Sequence, residues 1–119
     1  MSARHLCWND VAQDQPVALL ARRRIIGEKA MISQVSLQRG CRVATHAHEN
    51  EQFVCVLSGE VRFGVGDEGS ADRYSVTVKA GEVLHLPSHV PHSADAVVDS
   101  LVLDVFSPPS ATTGIDVKR

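Results

Sequence analysis

Short runs of apolar and β-branched residues, each ended by a turn-forming residue, recur along most of the sequence. Glycine and proline separate the runs, for example at Gly59, Gly81 and Pro87. The runs are spaced at about 8–12 residues, which favours an all-β sandwich or barrel over βαβ units. Seven strands are predicted on this basis, at 18–26, 30–37, 52–57, 60–65, 74–78, 83–86 and 100–106.

The composition supports this interpretation. The 119 residues include 17 Val against 9 Leu and 4 Ile, and β-branched residues favour strands. No long segment repeats its apolar residues at a 3.6-residue period, so we expect little helix. The length corresponds to one domain, which we divide into an N-terminal arm (1–17), a barrel (18–108) and a C-terminal tail (109–119).

Charge and cysteine content exclude several classes of partner. Twelve basic against fourteen acidic residues give a net charge of −2, which provides no general attraction for nucleic acid or an anionic membrane. No apolar run approaches the roughly 20 residues of a membrane span, and the first residues do not resemble a secretory signal. Three cysteines without a CxxC pair favour a reduced, cytoplasmic protein. We expect a small-molecule partner.

Five of the six histidines lie between His46 and His92. His46 and His48 are two residues apart, so in a strand both project from the same face, and Gln52 keeps that parity four residues later. His92 follows a rigid turn that begins at Pro87. One face would thus gather three imidazoles and an amide oxygen around a cation. An HxH pair alone is more often part of a polar surface loop.

The glycines around these residues match, in order and spacing, the two sequence motifs of the cupin family. The first motif is Gly40-x5-His46-x-His48-x3-Gln52-x6-Gly59, and the second is Gly81-x5-Pro87-x-His89-x2-His92. The chain therefore resembles a small single-domain cupin over residues 40–96. The resemblance implies an antiparallel β-barrel, also called a jelly roll or double-stranded β-helix, with one divalent metal ion at its mouth. Carried over by position, the metal ligands are His46, His48, Gln52 and His92.

The sequence departs from the family pattern at three positions. Gln52 stands where Glu is most common, and His89 and Ala96 replace a usual Gly and Asn. We expect His89 to be exposed and His85 to be a hydrogen-bonded residue of the barrel wall. Glu51 is an alternative ligand if its strand begins one residue earlier.

A neutral ligand set would leave the ion its full charge and make it a stronger Lewis acid, able to orient an anionic oxygen such as a uronate carboxylate. Imidazole and amide ligands are compatible with Zn, Ni, Mn or Fe. The set differs from the two-His-one-carboxylate triad of non-haem iron oxygenases.

A finer resemblance lies at residues 103–108 and 23–27, which look like the pectin-degradation cupins. Those enzymes open the ring of unsaturated uronates, and the resemblance implies that Asp104 and Phe106 are functional residues. The catalytic Arg of that group falls at Ser110 in this sequence, which leaves the specific activity open. One of the arginines at 22–24, or Arg62, is a candidate replacement.

The leading hypothesis is an enzyme that isomerises or opens the ring of a small unsaturated sugar acid. Asp104 would act as general base towards the anomeric hydroxyl; the structural alternative is that it closes the strand end by binding a backbone group or an Arg. A non-catalytic cupin that binds or senses a small anion through its metal is the second hypothesis, and a metal-dependent oxygenase is the third. Family resemblance also implies a homodimer, since the N-terminal strand offers an edge for pairing.

Overall fold

Strands dominate the structure, a computed structural model that describes residues 2–110. Within this range the chain forms one 3-10 helix, Trp8–Asp10, and ten β-strands. The strands are β1 (Gln13–Asp14), β2 (Leu20–Ile26), β3 (Met31–Leu37), β4 (Arg42–His46), β5 (Glu51–Ser58), β6 (Glu60–Val65), β7 (Tyr74–Lys79), β8 (Val83–Leu86), β9 (His92–Ala96) and β10 (Ser100–Ser107).

The strands form two antiparallel sheets. Sheet A has the order β1-β2-β3-β10-β5-β8, and sheet B has the order β4-β9-β6-β7. Neighbours such as β5 and β10 are far apart in sequence, so long-range pairing builds both sheets. This arrangement confirms the predicted all-β, cupin-type antiparallel barrel.

Alternation along each strand sends one set of side chains into a shared core. In β5, Val54 and Val56 are each 1% exposed, whereas Phe53, on the opposite parity, is 40% exposed. Buried residues of both sheets join one hydrophobic cluster, which includes Val61 and Phe63 of sheet B. The core therefore lies between the sheets, and residues on the inward parity reach the barrel interior.

All seven predicted strands are present, with ends shifted by at most two residues. Three further strands escaped prediction. Strand β4 is interrupted by an irregularity between Val43 and His46, and β9 reads His-Ser-Ala-Asp-Ala, without β-branched residues. Strand β1 has two residues only and falls within the predicted arm 1–17. The formation of these strands depends more on pairing with neighbouring strands than on their own composition.

The N-terminal strand β1 lies at the edge of sheet A, where we expected a second copy to pair, and the homodimer stays a prediction. No helix within residues 2–110 has the length and apolarity needed to cross a membrane. Most of the predicted tail 109–119 lies outside the described residues, which end at Ser110.

Candidate metal centre

Three histidines from distant parts of the chain meet at one end of the barrel. His46 ends β4 and His92 begins β9, and the two are directly paired in sheet B. His48 follows in the loop after β4. The candidate ligand atoms of the three side chains all lie within 4.8 Å of one another. The ring centroids of His46 and His92 are 4.4 Å apart, and those of His48 and His92 are 5.1 Å apart.

The backbone fixes the orientation of each imidazole in the same way. Nδ1 of each ring lies next to a carbonyl two residues away, at 2.8 Å for His46, 3.1 Å for His48 and 2.9 Å for His92. A carbonyl can only accept, so each Nδ1 carries the proton and each Nε2 keeps its lone pair. This pattern is typical of metal-binding histidines, whose other ring nitrogen donates to a carbonyl or carboxylate.

Gln52 contributes an amide from the opposite sheet. Its Nε2 donates a hydrogen bond of 3.1 Å to Asp104 Oδ1. Its Oε1 and the Nε2 of His48 are both buried and have no hydrogen-bond partner within the described residues. Two buried acceptor atoms without donors carry a desolvation cost that a cation would offset. The donor set therefore fits a divalent metal ion.

Burial keeps two of the histidines neutral. It lowers the pKa of His92 to about 4, an effect that the Val90 carbonyl opposes and the neighbouring His46 and His48 reinforce. Burial also lowers the pKa of His48, against the raising effect of polar contacts with Asn50 and Gln52. A neutral imidazole is the form that binds a metal, so these rings are ready to bind one at neutral pH.

Asp104 and Phe106 lie on the inward face of β10, as their spacing predicts. Both line a cavity of about 70 Å³ in the barrel interior together with His46, Gln52 and His92. Burial raises the pKa of Asp104 to about 7, although the hydrogen bond from Gln52 opposes the shift. Phe106 is 4% exposed and packs edge-on against His48, with ring centroids 5.8 Å apart.

Sequence comparison agrees with this geometry. Residues 33–106 match the family of cupin domains named Cupin_2. The chain belongs to the cupin family. No curated protein matches the sequence significantly.

Solved structures share the cupin fold with this chain. An RmlC-like cupin from Shewanella frigidimarina has 22% identity and a TM-score of 0.80, over 92% of this chain and 95% of the other. KdgF from a Halomonas species has 24% identity and a TM-score of 0.79, over 92% and 97% of the two chains. Oxalate decarboxylase from Bacillus subtilis, described with Mn(II) centres, has 20% identity and a TM-score of 0.80. This cupin covers 31% of that chain and matches 92% of its own length.

The remaining histidines of the cupin motifs do not belong to the three-histidine cluster. His85 is exposed on the outer face of sheet A, where its Nε2 lies 2.7 Å from Glu51 Oε2 and its ring stacks on Phe53. Glu51 therefore faces away from the interior, and the geometry favours Gln52 over Glu51 as a ligand. His89 is exposed, as expected, and adopts φ 65° at the position where the family usually has Gly.

Two further polar residues, Arg22 and Ser33, line the cavity. Arg22 is one of the three consecutive arginines predicted as candidate replacements for the missing Arg, and it alone of the three lines the cavity, whereas Ser33 was not predicted. Ser33 lines it as well, on the same face of β3 as Val35. Alternation along β3 was the signal that could have found Ser33, because its neighbours at 31, 35 and 37 are apolar and inward-facing.

Proposed function

We propose that this cupin is a metal-dependent enzyme that opens the ring of a small unsaturated sugar acid. The observation that carries the proposal is the cavity itself. It places the carboxyl group of Asp104, hydrogen-bonded to Gln52, beside the histidine cluster. An acid whose pKa lies at about 7 is suited to take up and return a proton at neutral pH.

The proposed metal ligands are Nε2 of the three histidines and Oε1 of Gln52, because Nδ1 of each ring faces a backbone carbonyl and Nε2 of Gln52 donates to Asp104. This set is neutral and does not select strongly among Zn, Ni, Mn and Fe. When bound, the ion would supply Lewis acidity to an oxygen atom of the sugar acid.

Asp104 would perform the proton transfer. Its carboxylate takes the proton of the anomeric hydroxyl, and the carbonyl at C1 forms as the bond from C1 to the ring oxygen breaks. The electron pair of that bond stays on the former ring oxygen, which becomes the enolate of the adjacent double bond. Return of the proton from Asp104 to C4 converts the enolate into a ketone. The reaction is an isomerisation in which no atom is gained or lost.

Phe106 would shape the apolar side of this site. Its ring is buried against His48 and lines the cavity. An apolar wall at this point excludes water from Asp104, which helps keep the pKa of the acid in the range where it exchanges protons at neutral pH.

Two comparisons support the proposal. Residues 103–108 resemble the pectin-degradation cupins, and the fold matches KdgF over nearly the full length of both chains. The Mn(II) centres named for Bacillus subtilis oxalate decarboxylase support manganese as one candidate ion.

The test is to incubate metal-loaded protein with 4,5-unsaturated galacturonate and to follow the loss of its conjugated enol-ether absorbance. We expect saturable turnover that is lost after chelation and restored by a divalent ion. Decay no faster than in buffer, with each of Zn, Ni, Mn and Fe in turn, would exclude this activity.

A non-catalytic binding protein is the second candidate, and Ser110 favours it because the pectin-degradation cupins have their catalytic Arg at this position. In that case the metal-loaded protein would bind the unsaturated uronate stoichiometrically without changing its absorbance. Calorimetry with the same ligand distinguishes the two functions.

A further inference from the structure

Strand β4 changes its parity just before the histidine cluster. Val43 and His46 both line the cavity inside the barrel, although they are three residues apart. Regular alternation would place residues at an odd separation on opposite faces of a strand. The pairing of β4 with β9 is irregular here, because Val43 is paired with Ala94 and His46 with His92. Three steps along β4 thus match two along β9, and this β-bulge turns His46 inward.

The side chain of Arg73 binds the bulge from the outer face of sheet B. Its Nη2 donates hydrogen bonds to Thr45 Oγ1 at 3.1 Å and to Ser93 Oγ at 2.9 Å. Thr45 lies within the bulge and directly precedes His46. Ser93 directly follows His92 in β9. One guanidinium group therefore connects the two residues that neighbour the paired histidines.

Further contacts fix the guanidinium of Arg73 in place. Its Nη1 donates to the carbonyl of Gly66 at 2.5 Å. The group also lies against Gly64, where a Cβ atom would come within 2.3 Å of Nη2. The Thr45 hydroxyl donates to Glu68 Oε1 at 2.8 Å, so its oxygen is oriented to accept from Arg73. The planar fork of a guanidinium suits such a multiple contact better than the single ammonium of a lysine does.

Arg73 is half-buried and lines a groove on the outer face of sheet B together with Arg42 and Arg62. The sheet separates this groove from the cavity. We propose that Arg73 is a positioning residue, which holds the bulge of β4 against β9 and so keeps His46 beside His92 in the arrangement that a metal ion requires. This inference rests on the proposed function, because the two histidines are proposed metal ligands.

Charge and position predict opposite effects of Arg73 on metal binding. A positive charge near a divalent cation repels it, so loss of the charge alone would leave the metal affinity unchanged or raise it. Loss of the hydrogen bonds to Thr45 and Ser93 would release the bulge and lower the affinity. The direction of the change in an Arg73 variant therefore distinguishes a positioning role from an electrostatic one.

The first test is a titration of Arg73→Ala with Zn²⁺ by calorimetry, with thermal unfolding to verify the fold. We expect the affinity to fall by about 10- to 100-fold relative to wild type, the range typical of residues that orient metal ligands. Arg42→Ala is the matched control, because Arg42 lines the same groove and also connects β4 to β9. Its Nε donates to Asp95 at 2.9 Å, on the regular side of the bulge. Equal affinities in wild type and Arg73→Ala, or equal losses in the two variants, would overturn the proposal.

The second test needs no metal. The rings of His46 and His92 have centroids 4.4 Å apart, close enough for a nuclear Overhauser effect between their protons in chelated protein. We expect this signal to weaken or disappear in Arg73→Ala, while the stacked rings of Phe53 and His85 on sheet A keep theirs. An unchanged signal between His46 and His92 in folded Arg73→Ala would refute the positioning role.

A second variant applies if Arg73→Ala does not fold. Thr45→Val combined with Ser93→Ala removes both hydroxyl acceptors and retains the hydrogen bond from Arg73 to Gly66. Weaker Zn²⁺ binding and loss of the signal between the histidine rings in this variant would support the proposal. Wild-type behaviour in both measurements would refute it.

These outcomes are separable from the proposed function. If wild type shows neither metal binding nor turnover, but Arg73→Ala loses the signal between the histidine rings, the enzyme is excluded and the positioning role is kept. If Arg73→Ala binds Zn²⁺ as wild type does and keeps the signal, the metal centre is kept and the positioning role is excluded.

Discussion

Gln52 and Asp104 are joined by a hydrogen bond of 3.1 Å that runs from Nε2 of the amide to Oδ1 of the acid. The bond is diagonal, because Gln52 is paired with Phe106 and Asp104 with Val54 in the β5–β10 register. It directs the amide nitrogen to the acid and leaves Oε1 as a buried acceptor near His48. A single contact thus connects the proposed metal ligand with the proposed base.

The first prediction concerns Asp104→Asn. The Asn side chain can still accept the hydrogen bond from Gln52, so metal binding should be retained, but the variant lacks the proposed base. We expect kcat on unsaturated galacturonate to fall by about 100-fold or more, with metal content unchanged by elemental analysis. Asp95→Asn is the control, because Asp95 pairs with Arg42 on the outer face. An undiminished rate in Asp104→Asn would refute the base assignment.

The second prediction is that His92→Ala abolishes stoichiometric metal binding, because it removes one of the proposed ligands from the histidine cluster. His85→Ala should leave the metal content unchanged, since His85 binds Glu51 on the outer face. Metal titration monitored by calorimetry, with thermal unfolding to verify the fold, distinguishes the two variants. Full occupancy in His92→Ala would show that the ligand set is wrong.

The third prediction is a dependence of stability on pH in chelated protein. The pKa of Asp104 is raised from 3.8 to about 7, so between these pH values the folded state holds more protons than the unfolded state. The contribution of Asp104 to the free energy of unfolding therefore falls as the pH rises from 3.8 to about 7. His92 acts in the opposite direction, because its pKa is lowered from 6.5 to about 4 and the unfolded state holds more protons between these values. Relative to wild type, Asp104→Asn should therefore gain stability from pH 5 to pH 8.

Urea unfolding of both proteins at pH 5 and pH 8 measures this difference. The difference in the free energy of unfolding between the two proteins should change by at most about 1.4 kcal/mol per pH unit. A difference between the two proteins that is the same at both pH values would mean that Asp104 titrates as it does in the unfolded chain.

The sequence predicted much of this arrangement because strand parity and motif spacing are local properties. Parity was sufficient to place Gln52 inward in β5 and Asp104 with Phe106 in β10. It could not show that β5 and β10 are neighbours, since 52 residues separate Gln52 from Asp104 and the sheet order decides the contact. The spacing of the family motifs, rather than β-propensity, predicted that His46 and His92 lie close together, because neither β4 nor β9 was predicted as a strand.

Arg22 shows a second limit of prediction from the sequence. Three consecutive arginines give no indication of which one enters the barrel. The choice depends on Asp14, which lies directly opposite Arg22 in a strand of two residues, too short to predict. A buried charge requires a partner, and that partner became visible only in the fold.

The fourth prediction compares two motif glycines with positive φ. A Cβ atom at Gly59 (φ +90°) would lie 2.5 Å from the Asp99 carbonyl oxygen, whereas a Cβ at Gly40 (φ +86°) would meet nothing within 4 Å. Gly40→Ala therefore carries backbone strain alone, about 1–2 kcal/mol, and Gly59→Ala adds a clash with the backbone. Chemical denaturation should show the larger loss of stability for Gly59→Ala, and equal losses would refute the close approach.

The fifth prediction concerns Gln52→Glu, which restores the residue most common in the family at the cost of the contact with Asp104. The carboxylate adds a negative charge to the ligand set, so metal affinity should rise. It also removes the N–H donor and places two acids side by side, which raises the pKa of Asp104 further. The midpoint of kcat against pH should then shift to higher pH than in wild type loaded with the same metal. Glu51→Gln is the matched control, and an unchanged pH profile in Gln52→Glu would mean that the amide does not tune the base.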